Sequence, residues 1–159
     1  MARQTPGKDP NEKDVAVNRR ARHEFEIEET FEAGLVLVGS EVKSLREGSV
    51  TLGEGYVTAI GDDLYLVSIH ISECAFANRN NHEPIRTRKL LLHRREIERI
   101  AEALEEKGRT CVPLRIYFKR GLAKVELGLG RGKKNWDKRQ DLKERDANRE
   151  MDRARSDAR

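Results

Sequence analysis

Hydrophobic and polar positions change period several times along this 159-residue chain, and each change predicts an element. Residues 1–17 are polar and carry Pro6, Gly7 and Pro10, the pattern of a disordered lead-in. "NRRARHEFEIEETF" (18–31) then alternates, with Phe25 and Ile27 on one face and glutamates between them, which predicts a strand. "AGLVLVGS" (33–40) predicts a second. Ser40 is placed to cap a short helix, "EVKSLRE", with Val42 and Leu45 on one side and Gly48 at its end.

"YVTAIGDDLYLVSIHI" (56–71) reads as two strands around Gly61-Asp62-Asp63, a hairpin signal. A polar stretch follows over residues 72–89, "SECAFANRNNHEPIRTRK", and a loop that long inside a small domain is a candidate for function. "HRREIERIAEALEEKG" (93–108) carries the clearest helical stripe, Ile97, Ile100, Ala101 and Leu104, with Gly108 as the stop. "CVPLRIYFKRGLAKVELGL" (111–129) predicts a final hairpin: Leu114, Ile116 and Phe118 alternate on one arm, Ala123, Val125 and Leu127 on the other. The order is strand, strand, short helix, hairpin, helix, hairpin. About six short strands cannot leave two bare sheet edges cheaply. The predicted fold is therefore mainly β: a small antiparallel OB-like barrel over residues 18–130, with the 93–107 helix plugging one end.

Residues 131–159 break this pattern. Beyond Gly132 they contain no glycine or proline, so a helix is permitted, and 27 residues from Lys133 would extend about 40 Å. Asp141/Arg145 and Asp146/Arg149 have helical ion-pair spacing, yet the apolar stripe of Leu142, Ala147, Met151, Ala154 and Ala158 is thin. Such a segment has little to hold it on a body, and the expectation is a basic C-terminal tail that is coil in the free protein.

Charge sharpens this picture. Residues 23–130 hold 15 Lys/Arg against 18 Asp/Glu, residues 1–22 hold 6 against 3, and residues 131–159 hold 11 against 7. A slightly acidic body with two basic ends suits an anionic partner, most often nucleic acid, although a solvated tail has the same composition. No apolar run reaches membrane-spanning length, and no hydrophobic leader segment stands at the N-terminus. Cys74 and Cys111 lie far apart outside any CxxC or Cys/His cluster, which fits reduced thiols in a cytoplasmic protein and leaves a single disulfide open.

The residues offer no active site. "GLGRGKK" (128–134) fails as a phosphate loop, because GxxxxGK[ST] would need glycine at Leu127 and a hydroxyl at Lys134. His23, His70, His82 and His93 lack metal-ligand spacing. Binding features are better represented: Arg19, Arg20, Arg22 and His23 precede Phe25, and "RTRK" (86–89) adds three cations. Phe25 is in phase with Ile27, so it serves either the core or a base stack. Trp136 serves either as a stacking wedge or as a cap on the barrel end.

"NRRARHEFEIEETFEAGLVLVGSEVKSLREG", "RTRKLLLHRREI" and "GKKNWDKRQDLKER" together resemble the SsrA-binding protein (small protein B) family, from about Asn18 to the C-terminus. The resemblance implies an OB-like barrel that binds the tRNA-like domain of transfer-messenger RNA, with no enzymatic activity and no cofactor. It implies a monomeric adaptor that brings alanine-charged transfer-messenger RNA to stalled 70S ribosomes and stands in for the missing anticodon arm. The tail would become helical in the vacant messenger channel of the small subunit. By the same resemblance, the RNA-binding surface falls on Asn18, Arg19, Arg22, Glu32, Leu91 and His93, with Arg88, Lys89 and Lys124 as phosphate contacts. Decoding-centre contacts fall on Gly132, Lys133, Lys134, Trp136, Asp137, Lys138 and Arg139. His93 stands where asparagine is familiar and Trp136 where histidine is; an indole can still stack on a base. A carboxylate such as Glu32 repels phosphate and should accept from a base or ribose donor. The rival readings are a generic single-strand RNA-binding barrel of cold-shock type and a hydrolase.

Overall fold

Turn chemistry sets the frame of the molecule. In the computed structural model, which describes residues 10–75 and 81–157 (backbone only at 135–137), both predicted hairpins form. β4 (Tyr56–Ile60) and β5 (Asp63–Val67) pair from Ile60↔Asp63 outward, with Gly61 at φ +62°. β8 (Arg109–Lys119) and β9 (Leu122–Gly132) are joined by Arg120 and Gly121 at φ +52° and +80°, the left-handed pair that a tight two-residue turn needs.

The predicted pair of strands over 18–40 is instead one long strand, β2 (Phe25–Leu35), because Glu32 pairs with Glu126 and carries the ladder with Leu122–Gly132 straight through the predicted break. It is preceded by one turn of helix, α1 (Ala21–Glu24), and followed by α2 (Gly39–Arg46). Val38, not Ser40, precedes α2. Ser40 is buried inside it, with Oγ 2.9 Å from His82 Nδ1, while His82 Nε2 donates to the Ile71 carbonyl at 2.8 Å. Gly48, at φ +75°, ends the segment as predicted.

Two corrections concern the ends. Glu12–Val17, read as part of a lead-in, is strand β1, antiparallel to β8 from Glu12↔Lys119 to Val17↔Arg115. The sheet therefore starts before residue 18; residues 1–9 lie outside the described residues. The tail, read as coil, is helix α4 (Asn135–Asp157). Its Ala, Leu, Gln, Glu, Lys and Arg content favours helix, and no breaker interrupts it. Every described side chain from Leu142 to Asp157 is exposed, so α4 stands clear of the body, as the thin apolar stripe requires.

The remaining strands are β3 (Val50–Thr51), β6 (His70–Ile71) and β7 (Arg88–Leu91). A seven-stranded antiparallel sheet runs β1-β8-β9-β2-β7-β5-β4, with β3-β6 as a separate ladder. β4 packs back against β8, rolling the sheet into an OB-like barrel. Leu35, Leu64, Leu66, Leu90, Ile116, Val125, Leu127 and Leu129 fill it, and α3 (Arg94–Glu105) seals one end with Ile100 buried and Ile97, Ala101 and Leu104 partly buried. Phe25 and Ile27 pack on a second cluster of Ala21, Val112 and Leu114, so the core role of Phe25 is the one realised. Cys74 and Cys111 are free buried thiols, and burial pushes Cys111 up to about 12.

Candidate nucleic-acid interface

Strand register decides which predicted residues meet. Opposed residues of an antiparallel pair project from the same face. Tyr117↔Lys124, Lys124↔Gly34 and Gly34↔Leu91 thus form one row across β8, β9, β2 and β7. Two positions along, Glu32 and Lys89 lie on that same outer face, Lys89 opposite Tyr65. Glu32, Lys89, Leu91 and Lys124, scattered over 93 positions of sequence, converge here. Leu91 is 53% exposed, an apolar side chain among charges. Gly34, itself buried, lets the Leu91 side chain pack down on β2: a Cβ there would sit 3.2 Å from the Leu91 Cβ.

The electrostatics of this face are graded. Lys89 lies 3.5 Å from Asp63, whereas Lys124 has no ion pair among the described residues. The Glu32 carboxylate accepts from the Tyr117 hydroxyl, and Lys119 Nζ reaches it at 3.4 Å. The Tyr117 bond, then Lys119 and Lys124, hold Glu32 below the ordinary carboxylate range despite some desolvation. Glu32 is therefore an anion near neutrality. His93 is exposed at the start of α3, where its carbonyl accepts from the Ile97 N–H at 3.0 Å.

A second group lies at the other end of β2. Arg19, Arg20 and Arg22 are exposed and have no ion pair among the described residues. Seven residues separate Phe25 from Glu32, about 23 Å of strand, so these arginines and the Glu32 face are distinct patches. Beside the arginines is the root of the tail. Gly132 pairs with Phe25, the Lys133 N–H donates to the Glu24 carbonyl at 2.8 Å, and Lys133 Nζ pairs with Asp141. Lys134 and Arg139 are exposed and Lys138 is half-buried; the side chains of Trp136 and Asp137 lie outside the described residues.

Two predicted contacts are corrected. Arg88 is fully buried and cannot reach a phosphate. Its Nε donates to Glu41, and its remaining nitrogens reach the carbonyls of Arg86 at 2.8 Å, Pro84 at 3.1 Å and Ile69 at 3.3 Å. Arg86, read as one of the same cation run, shares Glu41 at 2.6 Å. Asn18 is 8% exposed, and its side chain bridges the Pro113 carbonyl at 3.0 Å and the Ala21 N–H at 3.3 Å. These two bonds hold α1 on β8. Both residues build the platform and leave the contact to neighbours. What sequence reading missed is Tyr117 and Gly34. Tyr117 reads as one more alternating strand residue, and only its register with β9 places it under Glu32.

Among the described residues no group of three or more His, Cys, Asp or Glu could hold a metal ion, and no helix is long and apolar enough to cross a membrane. An OB-like barrel with a charged outer face, exposed arginines and a basic root to a long terminal helix belongs to the class of RNA-binding barrels. The family model described as "SmpB protein" matches residues 15–157. The SsrA-binding protein of Geobacter sulfurreducens is 53% identical over 140 residues, covering 88% of this chain and 92% of the relative. That of Geobacillus thermodenitrificans is 51% identical over 140 residues, covering 88% and 90%. A solved structure described as "tmRNA-SmpB: a journey to the center of the bacterial ribosome" has a chain 50% identical, with a TM-score of 0.65, covering 76% of this chain and 85% of that one. The chain belongs to the SmpB protein family of SsrA-binding proteins.

Proposed function

We propose that this protein is the RNA-binding adaptor of trans-translation. It binds the tRNA-like domain of transfer-messenger RNA through the outer face carrying Glu32, Lys89, Leu91 and Lys124, delivers that RNA to stalled ribosomes in the cytoplasm, and acts as a binding protein rather than an enzyme. The observation that carries the reading is the cross-strand row of Lys124, Gly34 and Leu91 beside Glu32. A cation for phosphate, a carboxylate for a ribose or base donor, and an exposed apolar side chain suit a structured RNA better than an unstacked strand. Single-strand barrels offer a series of exposed rings along their strands, whereas here Tyr117 is buried and Tyr56 on β4 is the one exposed phenylalanine or tyrosine ring among the described side chains.

Arg19 and Arg22 add a second RNA contact at the far end of β2. From there α4 projects, with the predicted decoding-centre residues Gly132, Lys133 and Lys134 at its root and Trp136 through Arg139 at its start. The helix is about 35 Å long and balances seven Lys/Arg against seven Asp/Glu, so the tail's excess positive charge sits mainly at its root, on Arg131, Lys133 and Lys134, where the phosphates of an RNA-walled channel would meet it. Footprinting of transfer-messenger RNA with and without the protein tests the assignment. Protection confined to the tRNA-like domain is the expected result; protection spread evenly over single-stranded regions would defeat it.

A further inference from the structure

Beneath Glu32 lies a side-chain stack that the site as described does not use. Arg115, Tyr117 and Lys119 are alternate residues of β8 on the outer face. Tyr117 is 1% exposed, and its hydroxyl donates to Glu32 Oε2. Lys119 reaches the same oxygen at 3.4 Å. Among the described residues no donor reaches Glu32 Oε1. A carboxylate can accept about four hydrogen bonds, so half of this one is satisfied internally and half faces outward.

Above the ring lies Arg115, its guanidinium carbon 4.1 Å from the ring centroid. That guanidinium cannot swing away: Nε donates to Glu126 at 2.6 Å, and the terminal nitrogens donate to Asp14 at 2.8 Å and Glu12 at 3.0 Å. Three strands, β1, β8 and β9, thereby fix one ring. The same cation offsets a like-charge clash, because Glu126 and Glu32 are directly opposed across β9 and β2.

We propose that Tyr117, clamped by Arg115, is a positioning residue for RNA recognition: it holds Glu32 so that Oε1 is presented to a ribose hydroxyl or base amino donor. The inference rests on the assignment of Glu32 to the RNA interface. It also gives β1 a part in function, since Glu12 and Asp14 hold the clamp. Burial and the adjacent carboxylate both raise the Tyr117 ionisation, so the hydroxyl keeps its proton and acts as a donor. Without that donor the Glu32 side chain samples several rotamers, and binding must order it at each encounter.

The test is a double-mutant cycle on the full chain, read as fluorescence anisotropy with the tRNA-like domain of transfer-messenger RNA. Glu32→Gln should weaken binding, Tyr117→Phe should weaken it on the order of tenfold, and the double variant should bind no worse than Glu32→Gln alone. Losses that multiply, or a Tyr117→Phe protein that binds normally while Glu32→Gln does not, would overturn the positioning role. An undiminished Glu32→Gln affinity would instead remove the Glu32 assignment, and the inference with it. A second measurement needs no variant: the Tyr117 hydroxyl proton of the wild-type protein should exchange slowly in the NMR spectrum both free and RNA-bound. Loss of that protection on binding would mean the pair breaks in the complex, contrary to the proposal.

Discussion

Replacing Arg88 by lysine keeps the positive charge that a phosphate contact requires and removes the planar fork that the structure uses. The fork, itself fully buried with Glu41 on α2, joins that carboxylate to three carbonyls, those of Ile69, Pro84 and Arg86. A lysine ammonium has its donors on one atom and cannot span that set. Arg88→Met goes further and leaves the Glu41 carboxylate with Arg86, a side chain 35% exposed, as its remaining cation. Breaking a buried pair from one side costs about 3–5 kcal/mol. At about 2–4 °C per kcal/mol for a chain of this size, Arg88→Met should lower Tm by roughly 6–20 °C, with Arg88→Lys between it and the wild type. Circular dichroism melts measure that shift. Anisotropy titrations of the tRNA-like domain at 10 °C, where the variants remain folded, measure affinity between 50 and 300 mM salt. The slope of log K against log[salt] should be unchanged in both variants. An unchanged Tm together with a slope reduced by about one counterion would show that Arg88 meets phosphate after all and refute the reasoning.

Lys124→Ala should behave in the opposite way, lowering that salt slope by about one while leaving the melting temperature within a few degrees. Acidification tests the Glu41 cluster: burial raises this carboxyl, but the bonds from Arg88 and Arg86 outweigh it and place the folded value below the ordinary 4.5. A group depressed in the folded state stabilises above its unfolded pKa and ceases to do so as pH falls through the folded one. Melting temperature should therefore drop as pH is taken below about 4.5, and Glu41→Gln should melt lower at pH 7 with a shallower acid dependence. Truncation after Lys134 should leave a cooperatively melting barrel that still binds transfer-messenger RNA but fails to support peptide tagging on stalled ribosomes. Trp136→Ala should show the same division, and gel-shift affinity beside a tagging assay separates the two activities.

Local signals made much of this molecule legible. Gly61 and Gly108 announce a hairpin turn and a helix end because left-handed backbone at those points has few other solutions, and the alternation of Leu114–Phe118 and Ala123–Leu127 announces the second hairpin. The four-residue stripe of α3 buried where its period placed it. What stayed hidden depends on partners distant in sequence. Glu12–Val17 is half polar and reads as lead-in, since its alternation is completed only by β8, about a hundred residues away. Arg88 lies in a run of cations that looks solvated, and nothing near it predicts that Glu41 on α2 will neutralise it in the interior. Asn18 was placed on the RNA surface, yet its partners are Pro113 across the sheet and Ala21 in a helix too short to show periodicity. Glu32, Lys89, Leu91 and Lys124 were named by family resemblance, but their convergence on one face follows from strand register, which no single stretch of sequence specifies.

The account turns on a rigid outer face that reads folded RNA. Competition binding at 150 mM salt measures this directly, with the labelled tRNA-like domain displaced by unlabelled copies of itself, by transfer RNA or by an unstructured strand of equal length. The account predicts displacement by the tRNA-like domain at concentrations at least a hundredfold below those needed for the unstructured strand, a preference of about 2.7 kcal/mol. Equal displacement by both would mean that charge alone holds the RNA, and would contradict the role assigned to Glu32, Lys89, Leu91 and Lys124.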